Sequence, residues 1–361
     1  PWHVEVNGRS ISTRNIIIAA GARPFVPDLP GLKDMPIVTS DTVWNLREQP
    51  RRLLMLGGGP IGCELALAFQ QLGSQVIQVE RGNRLLPRED ADASELVMVS
   101  LGSAGVDLRL NHQAERFELR NGTPTVLCRS QDSDHSVEIE FDCVLVALGR
   151  VANTQGYGIE TLNLAVRDNG TLDTNEYLAT RFPNVFAVGD VTGPYQFTHA
   201  ASHQAWYAAV NALFGSFRRF KVDYRVLPHC TFTDPEVARV GLSETEAREQ
   251  GVEYEVTRYG IDDLDRAIAD EAAEGFVKVL TEPGRDRILG VTIVGAHAGE
   301  LIAEYVLAMK HNLGLNKILG TVHSYPTLSE ANKYAAGQWK RAHQPERLLQ
   351  WVARFHAWRR G

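Results

Sequence analysis

Leu53-Leu54-Met55-Leu56-Gly57-Gly58-Gly59-Pro60-Ile61-Gly62-Cys63-Glu64 is the stretch that decides the fold. Four apolar residues read as a buried strand, the glycines as a tight turn, and Cys63–Gln71 as the helix that follows. Gly57, Gly59 and Gly62 stand at G-x-G-x-x-G spacing, with Pro60 and Ile61 filling the positions before the last glycine. The first glycine permits a sharp turn, and the second lets a pyrophosphate approach the backbone. The third lets helix and strand pack closely, so the positive end of the helix faces the phosphates. A second strand, Val76–Val79, ends in Glu80, which follows Gly57 by 23 residues. That is near the ~20 expected for a carboxylate that binds a ribose 2′-hydroxyl. The segment therefore reads as one βαβ dinucleotide-binding unit. Glu80 favours NADH, because a carboxylate repels a 2′-phosphate. Arg81 and Arg84 follow at once and leave NADPH open, although both also suit solvated loop charges.

On the amino-terminal side, Val4 and Val6 alternate with polar neighbours, Asn7-Gly8 is a hairpin signal, and Ile16–Ala20 is a strand ending at Gly21. A linker rich in Pro and Gly follows, from Pro24 to Pro36. On the other side, a helix is expected over about Ala91–Ala104 and short strands over Asp107–Glu140. An apolar strand at Val144–Leu148 and another at Val185–Val188 precede a helix over Thr198–Phe214. After Tyr224 strands and helices mix, ending in helices near 328–342 and 346–359.

Composition bounds the function. At about 150 residues per domain, 361 residues imply two or three domains. A net charge of −7 lacks the basic footprint of a general nucleic-acid binder. Cys63, Cys128, Cys143 and Cys230 are too dispersed for a disulfide framework or a zinc knuckle, so no metal site is expected and a reduced cytoplasm fits best. No apolar run approaches the ~20 residues of a membrane span. The chain opens on Pro1 and enters strand-like sequence at once; its true beginning is expected upstream.

Three further segments carry a resemblance. Ile16-Ile17-Ile18-Ala19-Ala20-Gly21-Ala22-Arg23-Pro24 resembles the A-T-G-A-x-P segment of the pyridine nucleotide-disulfide oxidoreductases, with Ala20 in place of the usual Thr. Ala147-Leu148-Gly149-Arg150-Val151-Ala152-Asn153 is similar to their A-L-G-R-x-P-N segment, with Ala152 in place of the Pro. Thr180–Val191, through Val185-Phe186-Ala187-Val188-Gly189-Asp190, resembles their long flavin motif. There the resemblance implies that Asp190 accepts a hydrogen bond from the flavin ribityl chain, and that the helix carrying His199 and Ala200 covers the flavin ring. Independently of the family, a short apolar strand that ends in a carboxylate sits where open α/β sheets bind ligands. Glu64, on the glycine-turn helix, resembles the family's Glu near nicotinamide and flavin.

Pro228–Gly241 resembles the opening of the family's interface domain, and His323-Ser324-Tyr325-Pro326-Thr327-Leu328-Ser329-Glu330 its carboxyl-terminal active-site stretch. Dihydrolipoamide dehydrogenases and glutathione reductases carry there a His and a Glu, five residues apart, that move protons toward the partner subunit's flavin. Here Glu330 is kept and Tyr325 replaces the His, with His323 two residues earlier. A Tyr, of reference pKa ≈ 10, is a poor base and serves as a hydrogen-bond donor. The stretch looks closest to mercuric-reductase-like flavoproteins, yet their cysteine pair near the carboxyl end is absent. Also absent are the family's first G-x-G-x-x-G turn and its C-x-x-x-x-C redox pair, so the chain as given is not expected to complete the catalytic cycle. Cys63 reads as a small core residue.

The resemblance implies an α/β fold: a Rossmann-like NAD(P)-binding domain (37–150) inserted in a partial FAD-binding domain (1–36 and 151–222), followed by an α+β dimerisation domain (223–361). It implies a homodimeric flavoprotein that binds FAD and NAD, passing hydride from NAD(P)H to a thiol, disulfide, metal-ion or quinone acceptor. The alternative is a nucleotide-binding or scaffold module without a redox dithiol. In the last helix Leu348, Leu349, Trp351, Val352, Phe355 and Trp358 share one face and Arg347, Gln350 and Arg354 the other. Its own core, a dimer interface and an anionic membrane surface are open to that face; packing is expected rather than lipid binding.

Overall fold

The computed structural model describes residues 2–133 and 135–361; Pro1 and Asp134 lie outside the described residues. The chain opens with β1 (Trp2–Val6) and β2 (Arg9–Thr13), paired across the Asn7-Gly8 turn, then β3 (Ile16–Ile18), β4 (Ala22–Pro24), β5 (Ile37–Thr39) and β6 (Arg52–Leu56). α1 (Pro60–Gln71) leaves the glycine turn, and β7 (Gln75–Val79), α2 (Ala91–Ser103) and β8 (Asp107–Arg109) follow. Longer antiparallel strands come next: β9 (His112–Arg120), β10 (Thr123–Ser130) and β11 (Ser136–Glu140). β12 (Cys143–Val146), β13 (Arg150–Ala152), β14 (Val185–Ala187) and α3 (Thr198–Phe214) complete the first two thirds.

The carboxyl-terminal third holds β15 (His229–Thr231), β16 (Glu236–Gly241), α4 (Glu244–Glu249), β17 (Glu255–Gly260) and α5 (Asp265–Ala269). After these come β18 (Phe276–Thr281), β19 (Ile288–Gly295), α6 (Ala298–Lys310), α7 (Leu315–Leu319), α8 (Glu330–Ala342) and α9 (Glu346–Arg360). The expected elements are present, with ends shifted by a few residues; the strand expected over Val144–Leu148 stops at Val146, before the chain turns at Gly149.

Two compact units emerge, 1–59 with 113–224, and 60–112 with 225–361, so the division falls inside the glycine turn. In the first unit β12 lies parallel to both β5 and β6, Val144 facing Ile37 and Leu54. The four residues of β12 are all buried, as a parallel strand covered on both faces requires. β3 and β14 form a second parallel pair, Ile18 opposite Ala187. In the second unit a five-stranded antiparallel sheet, ordered β15-β16-β19-β18-β17, carries the core. Val240, Val277, Val279, Val291 and Ile293 pack there against Ile302 and Tyr305 of α6 and Trp339 of α8.

Of the three covers open to the apolar face of α9, the structure removes one. No residue on the helix is buried; Trp351 and Trp358 are 61% and 77% exposed. Its apolar face therefore does not close the core of its own chain. Periodicity gave the helix and its amphipathic face correctly, but amphipathicity says only that a face wants cover, not which body supplies it.

Candidate active site

The three segments with flavin-like sequence converge in the first unit. β4 and β13 are antiparallel, Arg150 opposite Pro24 and Ala152 opposite Ala22. Asn153 clamps the turn: its Nδ2 donates to the Ala20 carbonyl at 2.9 Å and its N–H to that of Gly21 at 2.9 Å. The Phe25 N–H donates to the Gly149 carbonyl, and the Val188 N–H to that of Ile18. Ala20–Gly21, Gly149–Arg150 and Gly189–Asp190 thus lie at the ends of neighbouring strands. Arg150 ties them electrostatically, with Nε 3.3 Å from Asp190 Oδ2 and Nη2 donating to the Ala22 carbonyl at 2.8 Å.

Gly189 is held from behind. Its N–H donates to Oε1 of Gln204, a buried residue of α3, at 2.5 Å, and Gln204 Nε2 donates to the Tyr224 hydroxyl at 2.7 Å. Ala200, one helical turn before Gln204, is buried, whereas His199 is exposed and stacks on Phe197 with ring centres 5.3 Å apart. Sequence reasoning missed Gln204. A polar residue four positions after Ala200, on the face that meets the strand ends, was the available signal.

At the dinucleotide turn the sequence and the backbone agree. Gly57 adopts φ 109°, and a Cβ there would lie 2.5 Å from the Ala147 carbonyl oxygen, so only glycine fits. A Cβ on Gly59 would meet no atom within 4 Å, which leaves room above the turn for a diphosphate. Pro60 is exposed at the first helical position, where its missing N–H costs nothing; Ile61 is half-buried and Gly62 buried.

The second unit holds the other members. Glu80 Oε1 accepts the Gly82 N–H at 2.6 Å, and the Glu80 carbonyl accepts from the His112 N–H, which fixes the carboxylate at the end of β7. Arg81 is exposed. Arg84 is turned to its own loop, with Nη2 donating to the carbonyls of Pro87 and Glu89. Glu64 Oε1 accepts the Phe232 N–H at 2.9 Å. Burial pushes its carboxyl above the ordinary value, partly offset by that bond.

Tyr325 and Glu330 sit in one acidic cluster. The Tyr325 hydroxyl donates to Asp265 Oδ2 at 2.8 Å, and the ring is 69% exposed. Glu330 opens α8 as a buried carboxylate that accepts from the Thr327 N–H at 3.2 Å and the Tyr334 hydroxyl at 3.3 Å. The Asp265 hydrogen bond and charge hold the Tyr325 phenol above its ordinary pKa of 10.0, so it is a donor at neutral pH. His323 faces elsewhere: its Nε2 lies 3.0 Å from Glu304 Oε1, and Glu304 also accepts from Asn332 Nδ2. Asp265 carried no sequence signal, lying 60 residues from its partner.

None of the thiols is poised as a nucleophile. Cys63 and Cys230 are pushed up to about 12 and Cys143 to about 11, in each case chiefly by burial, and Cys128 is also buried. Among the described residues no group of three or more His, Cys, Asp or Glu is gathered as a metal site requires. None of the described helices is long and apolar enough to cross a membrane.

Comparison with known proteins agrees with this geometry. Residues 2–205 match the family model described as pyridine nucleotide-disulphide oxidoreductase, and residues 227–336 match the dimerisation domain of that family. The chain belongs to this family. It is 34% identical to a dihydrolipoyl dehydrogenase of Chlamydia muridarum, over 89% of this chain and 67% of that protein. It is also 34% identical to a mercuric reductase of Staphylococcus aureus, over 92% and 60% of the two chains. A glutathione reductase of Burkholderia cepacia matches at 34%, over 91% and 72%. Among solved structures, the HOCl-induced flavoprotein disulfide reductase RclA from Escherichia coli is 30% identical, with TM-score 0.82 over 92% of this chain and 75% of its own. The chain spans 60% to 72% of the length of these three curated relatives. The family's members are flavin-dependent enzymes that bind FAD and NAD(P), and the mixed α/β fold with its dimerisation domain is theirs.

Proposed function

We propose that the protein is an FAD-dependent NAD(P)H oxidoreductase that delivers reducing equivalents to a thiol, a disulfide or a related acceptor, in the manner of a mercuric-reductase-like flavoprotein. The observation that carries this reading is the convergence of Ala20–Gly21, Gly149–Arg150 and Gly189–Asp190 within one unit, joined by the Asn153 clamp and the Arg150–Asp190 pair. The fit to a flavin is supported by Gly149, where a Cβ would meet no atom within 4 Å, and by the Asp190 carboxylate beside it, which keeps 19% of its side-chain surface exposed.

Bound FAD supplies the two-electron step between nicotinamide and acceptor. The chain supplies binding, orientation and protons. Asp190 accepts from the ribityl chain, while His199 and the α3 backbone near Ala200 line the ring. Gly57, Gly59, Pro60, Ile61 and Gly62 cradle the dinucleotide pyrophosphate, Glu80 takes the ribose hydroxyls and Arg81 borders them, so NADH is preferred over NADPH. Glu64, raised by burial, serves beside the nicotinamide. Tyr325 donates a hydrogen bond to the acceptor, and Glu330 holds the segment that presents it. Because Tyr325 is exposed and its hydroxyl is anchored by Asp265, we assign it to the partner subunit's site in a homodimer built mainly from residues 223–361. Residues 37–150 then form the NAD(P) domain, and 1–36 with 151–222 the flavin domain. The cytoplasm suits four cysteines that form no disulfide.

Anaerobic addition of NADH to the FAD-loaded protein tests the reading: loss of the yellow flavin absorbance is expected. Flavin that binds but stays oxidised would replace it with the scaffold reading, to which the buried, unreactive thiols lend support.

A further inference from the structure

α9 is a 15-residue helix whose apolar side chains are presented outward. Trp351, Phe355 and Trp358 form a continuous aromatic strip, with ring centres 5.8 Å and 6.1 Å apart, flanked by exposed Leu348 and Leu349. At ~1.5 Å per residue the helix is about 22 Å long, too short to cross a bilayer core of about 30 Å. The charge is as lopsided as the hydrophobicity. On a chain of net charge −7, α9 carries Arg347, Arg354, Arg359 and Arg360 against a single acid, Glu346. None of these arginines is ion-paired among the described residues. Arg359 instead lies over the Phe355 ring at 5.8 Å, which puts a cation at the edge of the apolar strip.

We propose that α9 is an interfacial anchor that lays its Trp351–Phe355–Trp358 face into an anionic lipid surface. The helix has the three features such anchors need: a wide apolar face, aromatic rings suited to the headgroup level, and a cationic polar side. Anionic headgroups complement the arginines. A second copy of α9 does not, because face-to-face pairing would gather eight arginines and two glutamates, and like charges brought together oppose association. α9 also lies outside the 227–336 segment matched by the family's dimerisation domain.

The test is co-sedimentation of the whole chain with vesicles. Binding to phosphatidylglycerol–phosphatidylcholine vesicles is expected at low salt, with release at about 0.5 M salt and binding at least about a hundredfold weaker to pure phosphatidylcholine. The W351E/F355E variant loses binding, and R347E/R354E weakens it at least about thirtyfold. Both variants keep the parent's circular dichroism and Tm, because Trp351, Phe355, Arg347 and Arg354 are all exposed and none belongs to the core. Failure to sediment overturns the proposal, as does equal binding to neutral vesicles or undiminished binding by W351E/F355E. Conversion of a dimer to a monomer by W351E/F355E without lipid overturns it too, and gives the face to a second copy.

Discussion

Arg239 and Glu89, 150 residues apart in sequence, share a buried ion pair: Arg239 Nε donates to Glu89 Oε2 at 2.9 Å, and His229 Nε2 lies 3.0 Å from the other oxygen. Arg239 also donates to Glu246, the residue that closes the capping box of α4. The carboxylate just before α2 is thereby locked to β15 and β16.

Burial pushes the Glu89 carboxyl up, but the His229 hydrogen bond and the charges of Arg239 and His229 outweigh it and leave the pKa below its ordinary 4.5. A depressed folded-state pKa means stability that is present above the unfolded value and lost as pH falls through the folded one. Denaturant unfolding at stepped pH should therefore show stability falling from about pH 5 downward. Glu89→Gln should flatten that fall and, with Glu246 still paired to Arg239, cost about 1–3 kcal/mol at neutral pH. An unchanged acid limb in the variant would remove Glu89 from the account.

Lys278 is the basic counterpart. Its ammonium, 1% exposed, lies 2.8 Å from Asp90, 2.8 Å from Asp92 and 3.1 Å from Glu244. Burial lowers its pKa, and the Asp90 and Asp92 contacts more than restore it, so the net shift is upward. Its contribution is then complete at neutral pH and is lost only as pH rises through that elevated value. Lys278→Met should cost about 3–5 kcal/mol in thermal or denaturant unfolding at pH 7; a loss below about 1 kcal/mol would mean that the three carboxylates find other partners.

Glu80→Ala should weaken NADH binding by about 1–3 kcal/mol, the range for leaving one partner of a charged hydrogen bond unsatisfied. The loss for NADPH should be smaller, because Glu80 opposes the 2′-phosphate in the first place. Calorimetric titration with both nucleotides reads the difference, and a parent protein that prefers NADPH would refute the assignment.

Tyr325→Phe should leave stability within about 0.5 kcal/mol, as for other exposed positions, while changing turnover with the physiological acceptor. Because Asp265 keeps the phenol protonated above its ordinary 10.0, an alkaline limb assigned to Tyr325 should lie beyond pH 10 and move downward in Asp265→Asn. A limb that ignores Asp265 belongs to another group.

Much of this architecture is legible in local sequence. The Asn7-Gly8 hairpin, the turn at Gly57–Gly62 and the helix over Thr198–Phe214 are set by residues within a few positions of one another, which is the range over which turn chemistry and periodicity act. The flavin-like motifs are likewise contiguous. Other features are invisible at that range because they join distant chain segments: Tyr325 to Asp265, Glu64 to the Phe232 amide, Gln204 to Gly189, and the three carboxylates around Lys278. Gln204 and Lys278 are polar residues at buried positions, and only the tertiary partner explains why burial is tolerated. The exposed face of α9 is the converse case, in which a local pattern is plain and no residue of the helix is buried by the fold.

Pro30-Gly31, in the stretch read as a linker, has a further consequence. The Pro30 carbonyl accepts the Phe117 N–H at 2.8 Å, and a Cβ on Gly31 would collide with the Phe117 carbonyl oxygen. Leu32 beside it is completely buried. A protease needs several residues of extended, freely moving backbone in its cleft, and this segment is stapled to β9 instead. Cleavage at Pro30–Leu32 would require that contact to open first, so resistance to nicking there reports on the integrity of the strand across from it rather than on the composition of the linker.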